Sequence, residues 1–274
     1  MLTLFDTCPR RFQHTYLDEM GLHSLDWEDP QQQVGKQFHQ LMQQEWLGLD
    51  ISPLLVGSPV LARRFQAYRD HPPVLIQGQA LTEHRRTVLT SGFLLVGVYD
   101  LLILGDNQAQ IVDWKSYAQP RQGDLQETWQ SRLYPYLLAR SSGYSPEQIS
   151  MTYWFAEPSP QGSHAVTFPY SQARDAQVQT QLSNCLTRLN QAMMDYQQGI
   201  DFPQVPVSAG HCYSRWEQCS YGRRCDRLQP VEGLSFAESS PTLNPTAPLL
   251  AELLNVEGIP EVLLGSAQDV MIER

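Results

Sequence analysis

A chain of 274 residues is long enough to bury a core of its own, and 42% hydrophobic, 10% aromatic and 18% charged residues exclude a disordered or collagen-like polymer. Its longest apolar stretch, Phe93 to Leu104, is interrupted by Asp100 and too short to cross a bilayer; Asp6, Arg10 and Arg11 precede any run long enough for a secretory signal. The formal charge of −10 argues against coating nucleic acid by bulk electrostatics, although residues 231–274 carry −6 of it.

In chain order, Leu2 to Leu17 has helical spacing, with Pro9 either in its first turn or breaking it. Gln31 to Leu47 predicts a second helix that projects His39 beside an apolar face and sets Gly35 one turn before it. Leu61 to Tyr68 reads as a third helix, ended by Pro72 and Pro73. The texture then turns to β: Val74 to Thr82, Arg86 to Thr90, Phe93 to Leu104 and Gln110 to Ser116, with turns at Ser91-Gly92 and Gly105 to Asn107. Leu125 to Ala139 returns to helix, Met151 to Phe155 and Ala165 to Phe168 read as strands, and Ser171 to Tyr196 is a long helix. This order predicts an α/β fold, a central mixed sheet flanked by helices. Residues 1–230 form the expected domain. Residues 231–274, acidic and interrupted by prolines, read as an appendage, mostly disordered or docking weakly, that binds a partner or restrains the protein itself.

The most informative stretch is Gly97-Val98-Tyr99-Asp100 followed by Ile111-Val112-Asp113-Trp114-Lys115. Residues two apart in a strand share a face, so Asp113 and Lys115 point together while Val112 and Trp114 point into apolar packing. A hairpin turning at Gly105 to Asn107 brings Asp100 close to opposite Asp113. Converging carboxylates need a proton or a cation between them, and hard oxygen donors select Mg²⁺ or Mn²⁺. With an ammonium beside them, these are the parts of metal-dependent phosphodiester hydrolysis. A plain cross-strand salt bridge is the competing reading of Asp-x-Lys alone.

Gly35-x-x-x-His39 upstream and Gln130-x-x-x-Tyr134 downstream frame this pair. With Phe5-Asp6-Thr7-Cys8-Pro9-Arg10-Arg11-Phe12 and a Cys-rich end, the chain over Leu2 to Leu228 resembles the PD-(D/E)XK nuclease superfamily. Specifically it is similar to the RecB-like branch with an iron-sulfur cluster, which includes AddB and the CRISPR-associated nucleases that trim spacers. The resemblance implies a restriction-endonuclease-like core in which His39, Asp100 and Asp113 ligate the metal, aided by the Trp114 carbonyl. Lys115 would position or activate water, and Gln130 and Tyr134 would contact the DNA backbone or orient the active site. Glu83 is expected in an outer-shell or salt-bridge role. Tyr99 stands where the superfamily's name has proline. Related chains carry a short lead-in before the first helix, which suggests a start upstream of Met1.

Five cysteines in a reducing compartment suggest metal or redox chemistry. Cys212-x₆-Cys219-x₅-Cys225 groups three thiols in one loop, and Cys8 stands alone nearly two hundred residues earlier. Four thiolates suit a cubane cluster, with zinc as the competing occupant. The same one-plus-three pattern resembles the iron-sulfur branch, which implies a [4Fe-4S] clasp joining the amino-terminal helix to the carboxy-terminal loop. Cys185, among Leu182, Leu186 and Leu189, reads as a buried small apolar residue, and His211 as loop.

The expected function is a Mg²⁺- or Mn²⁺-dependent deoxyribonuclease, an exonuclease acting on single-stranded or terminal DNA in recombination, repair or defence, with a helicase or repair protein as partner. The alternative is a catalytically silent DNA-binding or scaffold module of a helicase-nuclease complex.

Overall fold

A computed structural model of the chain describes residues 1–18, 30–118, 120–159, 162, 164–212, 219–227 and 271–273. The first helical segment is two helices, α1 (Leu2–Thr7) and α2 (Pro9–Tyr16). Cys8 between them is extended, at φ −157° and ψ 103°, because the residue before a proline is driven out of the helical region. Pro9 then opens α2, where its missing N–H costs nothing. Helix α3 (Pro30–Trp46) matches the expected second helix, and α4 (Ser52–Gly57) precedes α5 (Pro59–Asp70), which is capped by Ser58.

The strands are β1 (Gln79–Thr90), β2 (Phe93–Leu104), β3 (Ala109–Ala118), β4 (Ile149–Glu157) and β5 (Ala165–Pro169). They lie side by side in that order, antiparallel except for the parallel pair β3–β4. The two strands expected between Val74 and Thr90 are one, β1, which pairs with β2 in a single register on both sides of Glu83. Ser91 and Gly92, both at positive φ, turn β1 into β2. The expected helix from Leu125 is likewise two, α6 (Gln122–Gln126) and α7 (Trp129–Ser141), because Thr128 caps the second by accepting from Ser131 N–H. Helix α8 (Gln172–Gln197) follows β5.

Of the acidic tail, only β6 (Met271–Glu273) is among the described residues, antiparallel to Leu94–Val96 of β2; the expected disorder of the rest lies outside them. No helix among the described residues is long and apolar enough to cross a membrane.

Two apolar cores cover the two faces of the sheet. One joins α1, α2, α7 and α8 to residues such as Leu95, Tyr99, Ile111 and Tyr153; the other joins α3 and α5 to Leu101, Val112, Trp114 and Trp154. The faces of β2 invert at Asp100. Phe93, Leu95 and Tyr99 meet the first core, whereas beyond Asp100 it is Leu102 that does so, while Leu101 and Ile103 meet the second. Glu83, at the matching position of β1, has φ +48°.

Candidate active site

The β2–β3 ladder runs from Leu104↔Ala109 to Leu101↔Val112. The next step brings Asp100 opposite Asp113, as the hairpin arithmetic expects. There the ladder gives way to side chains: Trp114 N–H donates to Asp100 Oδ2 at 2.7 Å. β1 sets Glu83 across from Asp100 on the other side, so three acids lie in a row across three strands.

Helix α3 supplies His39, whose Nδ1 lies 3.2 Å from Asp100 Oδ2. Donor atoms of His39, Glu83 and Asp100 all fall within 4.8 Å of one another. Burial disfavours charge on His39, but Asp100, its hydrogen bond and Asp113 prevail and push the imidazole pKa up to about 9. Glu83 is pushed up to about 7 by burial and by the Asp100 charge. For Asp100, burial is outweighed by His39, by the Trp114 N–H and by Lys115, so its carboxyl lies below the usual range.

Asp113 and Lys115 project to the opposite face from Val112 and Trp114. Lys115 Nζ lies 2.6 Å from Asp113 Oδ1 and 5.5 Å from the centre of the Tyr153 ring, and the residue is only 2% exposed. From α7, Gln130 donates through Nε2 to Asp113 Oδ2 at 2.5 Å and accepts from Lys115 Nζ at 3.0 Å through Oε1. Burial lowers the pKa of Lys115, yet Asp113, Tyr117 and Asp100 together raise it, so it is held as an ammonium. Burial, Lys115 notwithstanding, raises Asp113. Tyr134, one turn after Gln130, is buried edge-on against Tyr99 and its carbonyl accepts from the Tyr99 hydroxyl at 3.0 Å. Gln130 thus holds Asp113 and Lys115 directly, whereas Tyr134 packs against Tyr99, and both side chains are buried.

Residues 59–226 match the family model of the PD-(D/E)XK nuclease superfamily. The chain belongs to that superfamily. Comparison with curated proteins finds no match. The PD-(D/E)XK match takes in Glu83, Asp100, Asp113, Lys115, Gln130 and Tyr134 together with three of the grouped cysteines, while His39 and Cys8 precede it. A nuclease of this superfamily acts on nucleic acid, generally with a divalent cation. One imidazole and two carboxylates converging in a half-buried place fit such a cation, since hard oxygens and imidazole suit Mg²⁺ and Mn²⁺.

The geometry differs from the expected ligand set in one respect. Glu83, expected further out, joins His39 and Asp100, whereas Asp113 is engaged by Lys115 and Gln130. The sequence carries a faint signal for Glu83: it is the lone acid in β1.

Elsewhere, Cys8, Cys212, Cys219 and Cys225 line one cavity with Arg11, His211 and Tyr221. Burial raises the Cys225 thiol, and its neighbours Cys219, Cys8 and Cys212 raise it further against Arg10. Four thiols sharing a cavity fit a metal or cluster that takes up thiolate charge. Cys225 Sγ lies 3.8 Å from His14 Nε2, and His14 Nδ1 lies 2.7 Å from Asp18 Oδ2. His14 and Asp18 went unmarked in the sequence, although their i, i+4 spacing is compatible with such a pair. Cys185 is buried in the first core, as expected.

Proposed function

We propose that this chain is a Mg²⁺- or Mn²⁺-dependent deoxyribonuclease that hydrolyses DNA from its ends in recombination, repair or defence. Its nuclease domain spans residues 1–230 and is closed by a [4Fe-4S] cluster on Cys8, Cys212, Cys219 and Cys225, in a reducing compartment such as the cytoplasm. The observation that carries the catalytic reading is the meeting, where β2 and β3 part, of the His39/Glu83/Asp100 group with the Asp113/Lys115/Gln130 network.

A divalent cation on the first group would reduce the charge on the scissile phosphate and acidify water. Trp114 N–H and His39 fix the Asp100 carboxylate in place. Lys115, retaining its proton, acts as a hydrogen-bond donor and positive charge for the incoming water and the developing phosphoryl charge, not as a base. Gln130 holds that ammonium against Asp113 and leaves it few other orientations. The acidic tail is the segment of this reading that engages a helicase or repair partner.

The test is hydrolysis of end-labelled single- and double-stranded DNA by anaerobically purified full chain with Mn²⁺ or Mg²⁺, with iron, sulfide and zinc assayed on the same samples. Wild type should cut, and Lys115→Ala should lose about 10³-fold in kcat, roughly 4 kcal/mol of transition-state stabilisation. Folded, iron-replete wild type that cuts neither DNA overturns the enzyme. Zinc in place of iron and sulfide overturns the cluster.

A further inference from the structure

β3 and β4 pair residue for residue from Ala109↔Ile149 to Lys115↔Phe155, but Ala118 then falls opposite Glu157. Between Lys115 and Ala118, β3 therefore holds one residue more than its partner. Such a bulge bends a strand and re-aims a side chain. Tyr117 lies in it, 43% exposed, and is the one aromatic among the large exposed hydrophobic residues described.

The surroundings of this ring are specific. Its inner side meets Phe155 edge-on, with ring centres 6.0 Å apart at 65°, and Phe155 is fully buried opposite Lys115. The phenol's pKa is raised by burial, with Lys115 opposing and Asp113 adding, so the hydroxyl lies within electrostatic reach of that pair. An aromatic braced on one side, open on the other and two residues from the ammonium exposes apolar surface that folding alone does not use.

We propose that Tyr117 stacks on a nucleobase beside the scissile phosphate and so favours an unpaired strand. Both faces of a base inside a duplex are covered by its neighbours, whereas an unpaired or splayed terminal base can offer one to a ring. This rests on the reading of the site as a DNA nuclease.

The experiment measures binding by fluorescence anisotropy, with Ca²⁺ replacing Mn²⁺, of labelled oligo(dT) and of a blunt hairpin duplex to full-length wild type, Tyr117→Ala and Tyr117→Phe. Tyr117→Ala should weaken oligo(dT) binding by roughly ten-fold or more and leave the duplex within about two-fold, while Tyr117→Phe retains the single-strand affinity. An abasic residue placed at the stacked position should weaken wild type and have no further effect on Tyr117→Ala. Thermal unfolding of each variant reports on the fold. Unchanged oligo(dT) affinity in Tyr117→Ala, or an equal loss for both DNAs, overturns the stacking role. Where wild type cuts in a Lys115-dependent manner, that result leaves the nuclease standing; wild type that neither binds nor cuts DNA overturns both.

Discussion

Gln130 sits between two charges that need opposite things from it. Its amide nitrogen donates to the Asp113 carboxylate and its oxygen accepts from the Lys115 ammonium, and an uncharged amide carries a donor and an acceptor on separate atoms that serve both at once. Gln130→Leu keeps the bulk and removes both bonds, leaving a buried carboxylate oxygen and a buried ammonium each short of a partner. The expected cost is about 2–4 kcal/mol in urea unfolding, with a fall in kcat because Lys115 is released to other orientations. Unchanged stability would mean that water replaces the amide and that the network is looser than the distances suggest. The Asp100/Asp113 opposition and the shared face of Asp113 and Lys115 were legible in the sequence, because both follow from a period of two and a short hairpin. Glu83 was not legible in its role. Strand alternation assumes regular backbone, and the positive φ at Glu83 and the inversion of faces at Asp100 break that assumption where the site forms.

Among the elements, helix α3 is anchored by Phe38, Leu41 and Met42 in the second core and approaches β3 at a residue without a side chain. A Cβ at Gly35 would stand 3.2 Å from Ser116 Oγ. The helix therefore lies close on β3, and one turn later His39 reaches Asp100. The Gly-x-x-x-His spacing is thus a packing device as much as a ligand motif. Gly35→Val should leave the domain folded but push α3 outward, reducing Mn²⁺ affinity by calorimetry and kcat by DNA cleavage, each about ten-fold. Ser116→Ala added to it should recover part of the loss, a coupling that only direct contact produces. If Gly35→Val alone leaves both measurements unchanged, the helix is not held by this approach. The positions of α3, α5, α8 and most strands were readable from periodicity and turn residues. The split at Thr128 was not, because apolar spacing runs straight through the cap; the break before Pro9 was one of the two readings its ring allows, and it is the one the chain adopts.

Across the whole molecule, the amino-terminal helices meet residues 201–225 twice, and the two ties are of different kinds. Cys8 and the three later thiols would close a loop of about two hundred residues, which in a chain-entropy picture is worth about 5 kcal/mol. That figure is an upper bound here. Arg10 donates to the Phe202 carbonyl and pairs with Asp201, Gln13 bonds Asp201 and the Phe202 N–H, Phe12 stacks on Phe202, and Tyr196 donates to Asp18. These contacts already hold the amino-terminal helices against the segment after α8, so the thiols constrain a loop that is nearly closed. Cys8→Ser or Cys225→Ser should therefore abolish bound iron yet lower stability by only about 2–3 kcal/mol, a fall of roughly 5–10 °C in Tm for a domain of this size. Cys185→Ala, in the core and away from the cavity, should cost stability while leaving the iron content at the wild-type value. Differential scanning calorimetry with iron analysis on the same samples checks both halves. If the Cys8 and Cys225 variants keep their iron, the cavity is not the metal site. If they lose it and the domain no longer folds, the protein ties around Phe202 are too weak to act alone, and the clasp is what completes the fold.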